Sequence, residues 1–201
     1  EDPLTGQVHD FFDGQGDLKR KILRHTSPAF AEDPLRVLRG VQFAARFEFS
    51  MAEETKELCR RIDLSELARE RIWEEWNKLL LLAARPSLGL ELALDIGALR
   101  MFPEISAMKG VAQEPEWHPE GDVWTHNNLV VDEAAKLRSG DRKEDLILMW
   151  GSLCHDLGKP PTTKMKDGRI RSKGHSEAGL PLTKAVLERM TDDRELIDGV
   201  L

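Results

Sequence analysis

Ala31-Glu32-Asp33-Pro34-Leu35-Arg36-Val37-Leu38-Arg39 brings one carboxylate and two guanidiniums together at the start of a helix. Pro34 suits a first helical turn, and Asp33 before it is a natural N-cap. Leu35, Leu38, Val41 and Ala45 recur as a buried stripe, so Arg36 and Arg39, three residues apart, project from a neighbouring face and can share one ligand. The chemistry on offer is the reading of a nucleobase. Cytosine and adenine each present an amino donor beside a ring-nitrogen acceptor, whereas uracil and guanine present the reverse. A carboxylate such as Asp33 accepts from the amino group and the permanently charged Arg36 donates to the ring nitrogen, which selects C and A without a nucleic-acid template. Taken alone, D-P-x-R reads more simply as a helix cap with two solvated arginines, and it is the neighbouring motifs that favour base reading.

A second constellation lies downstream. His126 stands at the start of a helix, the doublet His155-Asp156 ends another, and His175 follows a predicted hairpin made of 162–165, an Asp167-Gly168 turn and 169–172. The helix expected over 145–157 is apolar nearly all round, with Gly158 as its stop. Asp156 therefore sits at the negative end of a buried helix, a position that a bound cation would make tolerable.

The elements that position these groups are mostly helical. Apolar spacing predicts helices over 33–47, 53–61, 65–84 and 87–98, with breaks at Phe49-Ser50, Asp63-Leu64 and Arg85-Pro86. Upstream, Val8 to Asp13 with Gly14 and Gly16, then Ile22-Leu23-Arg24, reads as strand, glycine turn and second strand. The Gly- and Pro-containing stretch from Pro103 to Pro119 is the best domain boundary. The expected architecture is mainly α, with a short β remnant over 1–28, a helical neck and body over 29–110, and an all-α unit with a small hairpin over 111–201.

Three blocks in order carry a resemblance: Val8 to Leu18 with Ile22-Leu23-Arg24, then Glu32-Asp33-x-x-Arg36, then Arg71-x-x-x-Glu75-x-x-Lys78. Together they resemble the bacterial-type tRNA nucleotidyltransferases, the CCA-adding enzymes and related poly(A) polymerases. The resemblance implies that the first block closes a catalytic domain, that Asp33 and Arg36 form the template for the incoming base, and that Arg39 adds a nucleotide contact. It makes Arg71, Glu75 and Lys78 a helix brace whose spacing allows Glu75 to pair within the helix with both. The Gly-Ser segment and the Asp-x-Asp pair that hold Mg2+ in this family would lie before residue 1, so the chain reads as part of a longer protein. His126, His155-Asp156 and the following Gly158-Lys159 resemble the HD phosphohydrolases, and Trp117-His118-Pro119-Glu120-Gly121-Asp122 resembles nucleotidyltransferases that carry such a domain. That resemblance implies a divalent transition metal such as Ni2+, Co2+ or Mn2+ on His126, His155 and Asp156, with Lys159 binding phosphate and His118 and His175 as additional site residues. A closing aspartate is expected later in the chain, where Asp192, Asp193 and Asp198 are the available residues.

The implied activity is transfer of CMP and AMP from CTP and ATP to the 3′ end of tRNA, with an attached phosphohydrolase. Poly(A) polymerase, partial CCA addition, or a stand-alone HD hydrolase with a helical RNA- or nucleotide-binding module are the alternatives. A net charge of −7 argues against a uniformly basic RNA surface, so any tRNA contact must be local. The candidates are Lys19-Arg20-Lys21 with Arg24, and the Lys164-Lys166-Arg169-Arg171-Lys173 run. No apolar run is long enough to span a membrane, and Cys59 and Cys154 lack metal-type spacing, which fits a reducing cytoplasm.

Overall fold

The computed structural model describes residues 4–201. It is mainly α-helical, as expected, with two small two-stranded sheets. The first departure lies at the start. Asp10 accepts hydrogen bonds from the amides of Gly14 (2.6 Å) and Gln15 (2.8 Å), which closes a loop and starts helix α1 (Gly14–Arg20) where a glycine turn was expected. Residues 6–10 form no strand. Only β1 (Ile22–Leu23) is extended, and it pairs in parallel with β2 (Ser50–Met51), Ile22 opposite Ser50 and Leu23 opposite Met51.

After a 3₁₀ turn over Pro28–Glu32 comes α2 (Leu35–Phe47), with Leu35, Val37, Leu38, Val41, Ala44 and Ala45 buried along one side. Asp33 behaves as the sequence suggests, its carboxylate accepting from the Leu35 amide at 3.2 Å. Helix α3 (Glu53–Arg61) matches its expected bounds. Helix α4 (Arg69–Leu82) begins four residues later than expected, because Asp63 captures the amide (2.9 Å) and hydroxyl of Ser65 in a local turn. Helix α5 (Pro86–Asp95) ends near Gly97, whose φ of +76° carries the chain into a 3₁₀ turn over Ala98–Met101 and the short α6 (Pro103–Ser106).

Helix α7 (Val123–Lys136) is capped by Asp122, which accepts from the Thr125 amide at 2.9 Å and, through its other oxygen, from Gly110 at 2.6 Å. That second bond ties the loop before the helix to its first turn. Helix α8 (Arg142–Cys154) is capped by Asp141, and α9 (Lys159–Thr162) leads into the hairpin β3 (Lys164–Lys166) and β4 (Arg169–Arg171). Asp167 and Gly168 both have positive φ, the type I′ requirement that Asp-Gly meets. Helices α10 (His175–Glu188) and α11 (Arg194–Val200) complete the order.

Helices α2, α4 and α5 pack on one another, α7 packs on α5 and α8, and α8 packs on α4 and α11. One continuous hydrophobic core results, running through both sides of the 103–119 stretch. Trp150 shows how the two sides join: it stacks on Trp73 with ring centroids 5.4 Å apart and donates to Asn77 Oδ1 at 2.9 Å. Arg138 reaches across as well, donating to the backbone carbonyls of Leu80 and Ala83 at the end of α4. No described helix is long and apolar enough to cross a membrane.

Candidate functional sites

Arg36 and Arg39 come together as the spacing requires. With Leu23, Arg24, His25, Phe30, Gly40, Phe43, Met51 and Thr55 they line a cleft of about 300 Å³ between α2, α3 and the β1 segment. His25 is anchored there by Thr55, whose hydroxyl lies 2.8 Å from Nδ1 and accepts from the His25 amide at 3.1 Å. Arg39 lies 5.8 Å from the Phe43 ring centre. Asp33 is not among the residues lining this cleft. Its carboxylate meets Arg71 of α4 at 3.4 Å, while Arg36 donates to the carbonyl of Ala29. Arg71 therefore braces between helices and does not pair with Glu75 within its own helix. The other expected pair forms, Lys78 Nζ lying 2.8 Å from the buried Glu75.

The second constellation converges. His126 sits in the first turn of α7, and His155-Asp156 follows the end of α8, where α7 packs against it. One nitrogen of His126, one of His155 and an oxygen of Asp156 all lie within 4.8 Å of one another. His126 Nε2 is 3.8 Å from Asp156 Oδ2, His155 Nε2 is 3.1 Å from the same atom, and His175 Nε2 is 3.7 Å from Oδ1. Each imidazole has its other nitrogen on an acceptor: His126 Nδ1 on Glu120 Oε1 (2.7 Å), His155 Nδ1 on the Ser152 carbonyl (2.8 Å) and His175 Nδ1 on the Ser172 carbonyl (2.8 Å). With Nδ1 engaged on these acceptors, the three Nε2 atoms are turned toward one carboxylate, the arrangement in which Nε2 would be the metal-binding atom.

Asp156 is 1% exposed. Burial pushes its carboxyl up, but His155 and Lys159 outweigh burial and hold it at about 2. Burial likewise pulls His155 down and Asp156 more than restores it, so the imidazole is raised above its ordinary value. Lys159 Nζ lies 2.8 Å from Asp156 Oδ2 and donates to Gln113 Oε1 at 2.6 Å. Despite these ionic distances, Asp156 Oδ2 lacks a partner of proper hydrogen-bond geometry. Lys159 is thus buried as the internal partner of Asp156. It still lines, with His118, His175, Gln113 and Trp117, a cleft of about 270 Å³.

Two residues escaped the sequence reading. Glu120 takes His118 Nδ1 at 3.0 Å and His126 Nδ1 at 2.7 Å on one oxygen, and these hydrogen bonds, His118 foremost, hold its carboxyl at about 2. Gln113 holds Lys159. The pattern W-H-P-E-G-D contains Glu120, but only the turn before α7 brings it under His126. Of the later aspartates, Asp192 pairs with Arg69, and Asp193 caps α11 through the Leu196 amide at 3.0 Å. Both are engaged away from the histidines.

Residues 48–109 match a family model described as a probable RNA and SrmB-binding site of polymerase A. A multifunctional CCA protein of Pasteurella multocida (strain Pm70) is 40% identical over 194 residues, covering 92% of this chain and 46% of that protein. The chain belongs to the family of the multifunctional CCA proteins. A relative of the same name from Burkholderia cenocepacia (strain HI2424) is 41% identical, covering all of this chain and 48% of that one. The chain spans about half the length of the curated relatives it matches. A solved tRNA-processing enzyme in an apo form shares the fold, with a TM-score of 0.52 at 21% identity over 97% of this chain and 46% of that one.

Proposed function

We propose that this chain is the nucleotide-reading part of an enzyme that adds CMP and AMP, from CTP and ATP, to the 3′ end of tRNA. The single observation that carries this reading is the arginine cleft, where Arg36 and Arg39 stand together beside His25 and Phe30 in a space of about 300 Å³. Asp33, one helical turn before Arg36, would exchange Arg71 for the amino group of the base. Mg2+ for nucleotidyl transfer would be held by the Asp-x-Asp pair of the family, which this chain does not contain. Equilibrium dialysis tests the reading: the chain should retain CTP and ATP in preference to UTP and GTP, and Arg36→Ala should weaken both by roughly 5- to 150-fold, the equivalent of about 1–3 kcal/mol for a lost charged partner. Equal retention of all four nucleotides would overturn it.

The histidine cluster supports a second activity, an HD-type phosphoester hydrolysis over the 111–201 unit. The residues fit a divalent transition metal: three Nε2 atoms and a buried carboxylate face one another, and the buried Asp156 Oδ2 lacks a hydrogen bond. His126, His155 and Asp156 would hold the ion, which when bound polarises a phosphoryl oxygen and acidifies water. The chain's own residues do the rest: Glu120 orients His126, Lys159 keeps Asp156 ionised, and His118 and His175 border the cleft on which a phosphate would rest.

A further inference from the structure

The hairpin 164–171 carries a charge arrangement that the nucleotide cleft and the histidine cluster leave unused. In its register Lys164 stands opposite Arg171 and Lys166 opposite Arg169, with Met165 opposite Ile170 between them. Opposite residues of an antiparallel pair share a face, so all four cations lie on one side and Met165 and Ile170 on the other. Like charges directly across a ladder are destabilising. Only Arg169 has an acidic partner among the described residues, Glu116 at 3.5 Å; Lys164, Lys166 and Arg171 are exposed with none.

The opposite face is anchored at Ile170 and Ser172, while Met165 stays exposed. Ile170 donates its amide to Glu114 Oε2 at 2.9 Å, Thr163 and Ser172 join their hydroxyls at 2.8 Å, and Ile170 and Ser172 line the cleft that also holds His118, Lys159 and His175. On that cleft stands Trp117, 70% exposed, whereas Trp76, Trp124 and Trp150 are fully buried and Trp73 is stacked on Trp150. The cationic face turns away from the cleft, but its edge meets the Trp117 segment where Arg169 pairs with Glu116, the residue before Trp117, at 3.5 Å. Cations along one edge and an open aromatic ring next to it are the combination that holds single-stranded nucleic acid, phosphates on the cations and a base on the ring.

We propose that the cationic face of the hairpin and Trp117 together bind the single-stranded 3′ end of an RNA and lead it to the histidine cleft. The direction of the strand rests on the reading of that cleft as a phosphoester site; the binding itself does not. The net charge of −7 sharpens the point, because a chain repelling polyanions overall keeps three cations of one small element without an acidic partner among the described residues.

The test is fluorescence anisotropy with a labelled 12-nucleotide single-stranded RNA and the 201-residue chain, in EDTA so that metal binding and hydrolysis play no part. The double variant Lys164→Ala, Arg171→Ala should raise Kd roughly tenfold at about 0.1 M salt and flatten the salt slope by about 1.4, two contacts at about 0.7 each. Lys164→Arg with Arg171→Lys should restore both. Trp117→Ala should weaken binding roughly tenfold and Trp117→Phe by less than about twofold, since a stacked base needs only a ring face. RNA should also quench the exposed Trp117 emission. Unchanged Kd and salt slope in the double variant would overturn the proposal, as would AMP quenching Trp117 with the affinity of the oligonucleotide, which would make the site one for free nucleotides. If RNA binding behaves as expected while the chain neither holds metal nor hydrolyses phosphoesters, the histidine reading fails and the RNA face stands.

Discussion

Glu120 fixes the tautomer on which any metal site here depends. By accepting a hydrogen bond from His126 Nδ1 at 2.7 Å, it leaves Nε2 aimed at Asp156. Partners of this kind are worth about 10- to 100-fold in metal affinity. Glu120→Ala should therefore weaken Co2+ or Ni2+ binding by that range in a calorimetric titration, and Glu120→Gln, whose amide oxygen can still accept a hydrogen bond from Nδ1–H, should weaken it less. Equal affinity in all three proteins would make Glu120 a structural residue only. The Arg36→Ala prediction belongs to the same scale, because the two arginines act through direct contact. Arg36 and Arg39 could be read from their three-residue spacing and the histidines from their neighbours. Glu120 and Gln113 could not, since a carboxylate or amide on a loop carries no periodic signal.

Among the elements, α10 is set by one close approach. A Cβ on Gly158 would lie 1.9 Å from the carbonyl oxygen of His175 and 2.6 Å from the Gly179 amide. Gly158 itself has φ −82°, so its value is not the left-handed helix stop that the sequence suggests but the room it leaves for a neighbouring backbone. Gly158→Ala should force α10 away, costing at least about 1–3 kcal/mol as overpacking does, and should lower Tm by roughly 2–12 °C. Because His175 opens α10, the same variant should also reduce metal affinity; a thermal scan with unchanged Tm would refute the close contact. Periodicity located most helices because their apolar stripes are local. It misread residues 8–20, where Asp10 captures two amides and Asp13, with φ +55°, turns the chain into a helix.

At the scale of the molecule, the shared core joins the α2–α5 segment to α7 and α8, with Trp150 and Arg138 bonded across the join. Calorimetry should show one cooperative transition; two separated transitions would contradict a common core. Acid should erode it. The Glu104 carboxyl is held below its ordinary value by Arg189, Asp95 by Lys56 and Arg60, and Asp17 by Arg24 and Arg20. A carboxyl depressed in the folded state contributes stability above its unfolded pKa of about 4 and loses it as pH falls through the lower folded value. Stability should hold from pH 7 to about 4.5 and fall below about pH 4, and Glu104→Gln should shrink that fall in urea titrations at pH 3 and 6.

The sequence by itself determined the helical class, the Asp167-Gly168 hairpin, the pairing of Arg36 with Arg39 on one face, and the family to which these motifs belong. All of these rest on neighbours within a few residues, where backbone geometry leaves little choice. Tertiary packing decided the rest: that Asp33 meets Arg71 of another helix, that Lys159 turns inward to Asp156 and Gln113, and that three histidines from α7, α8 and α10 aim Nε2 at one buried carboxylate. Side chains up to 49 positions apart meet there only because α7 lies against α8 and Gly158 lets α10 close on them. That reason is steric and long-range, and no local pattern of residue types encodes it.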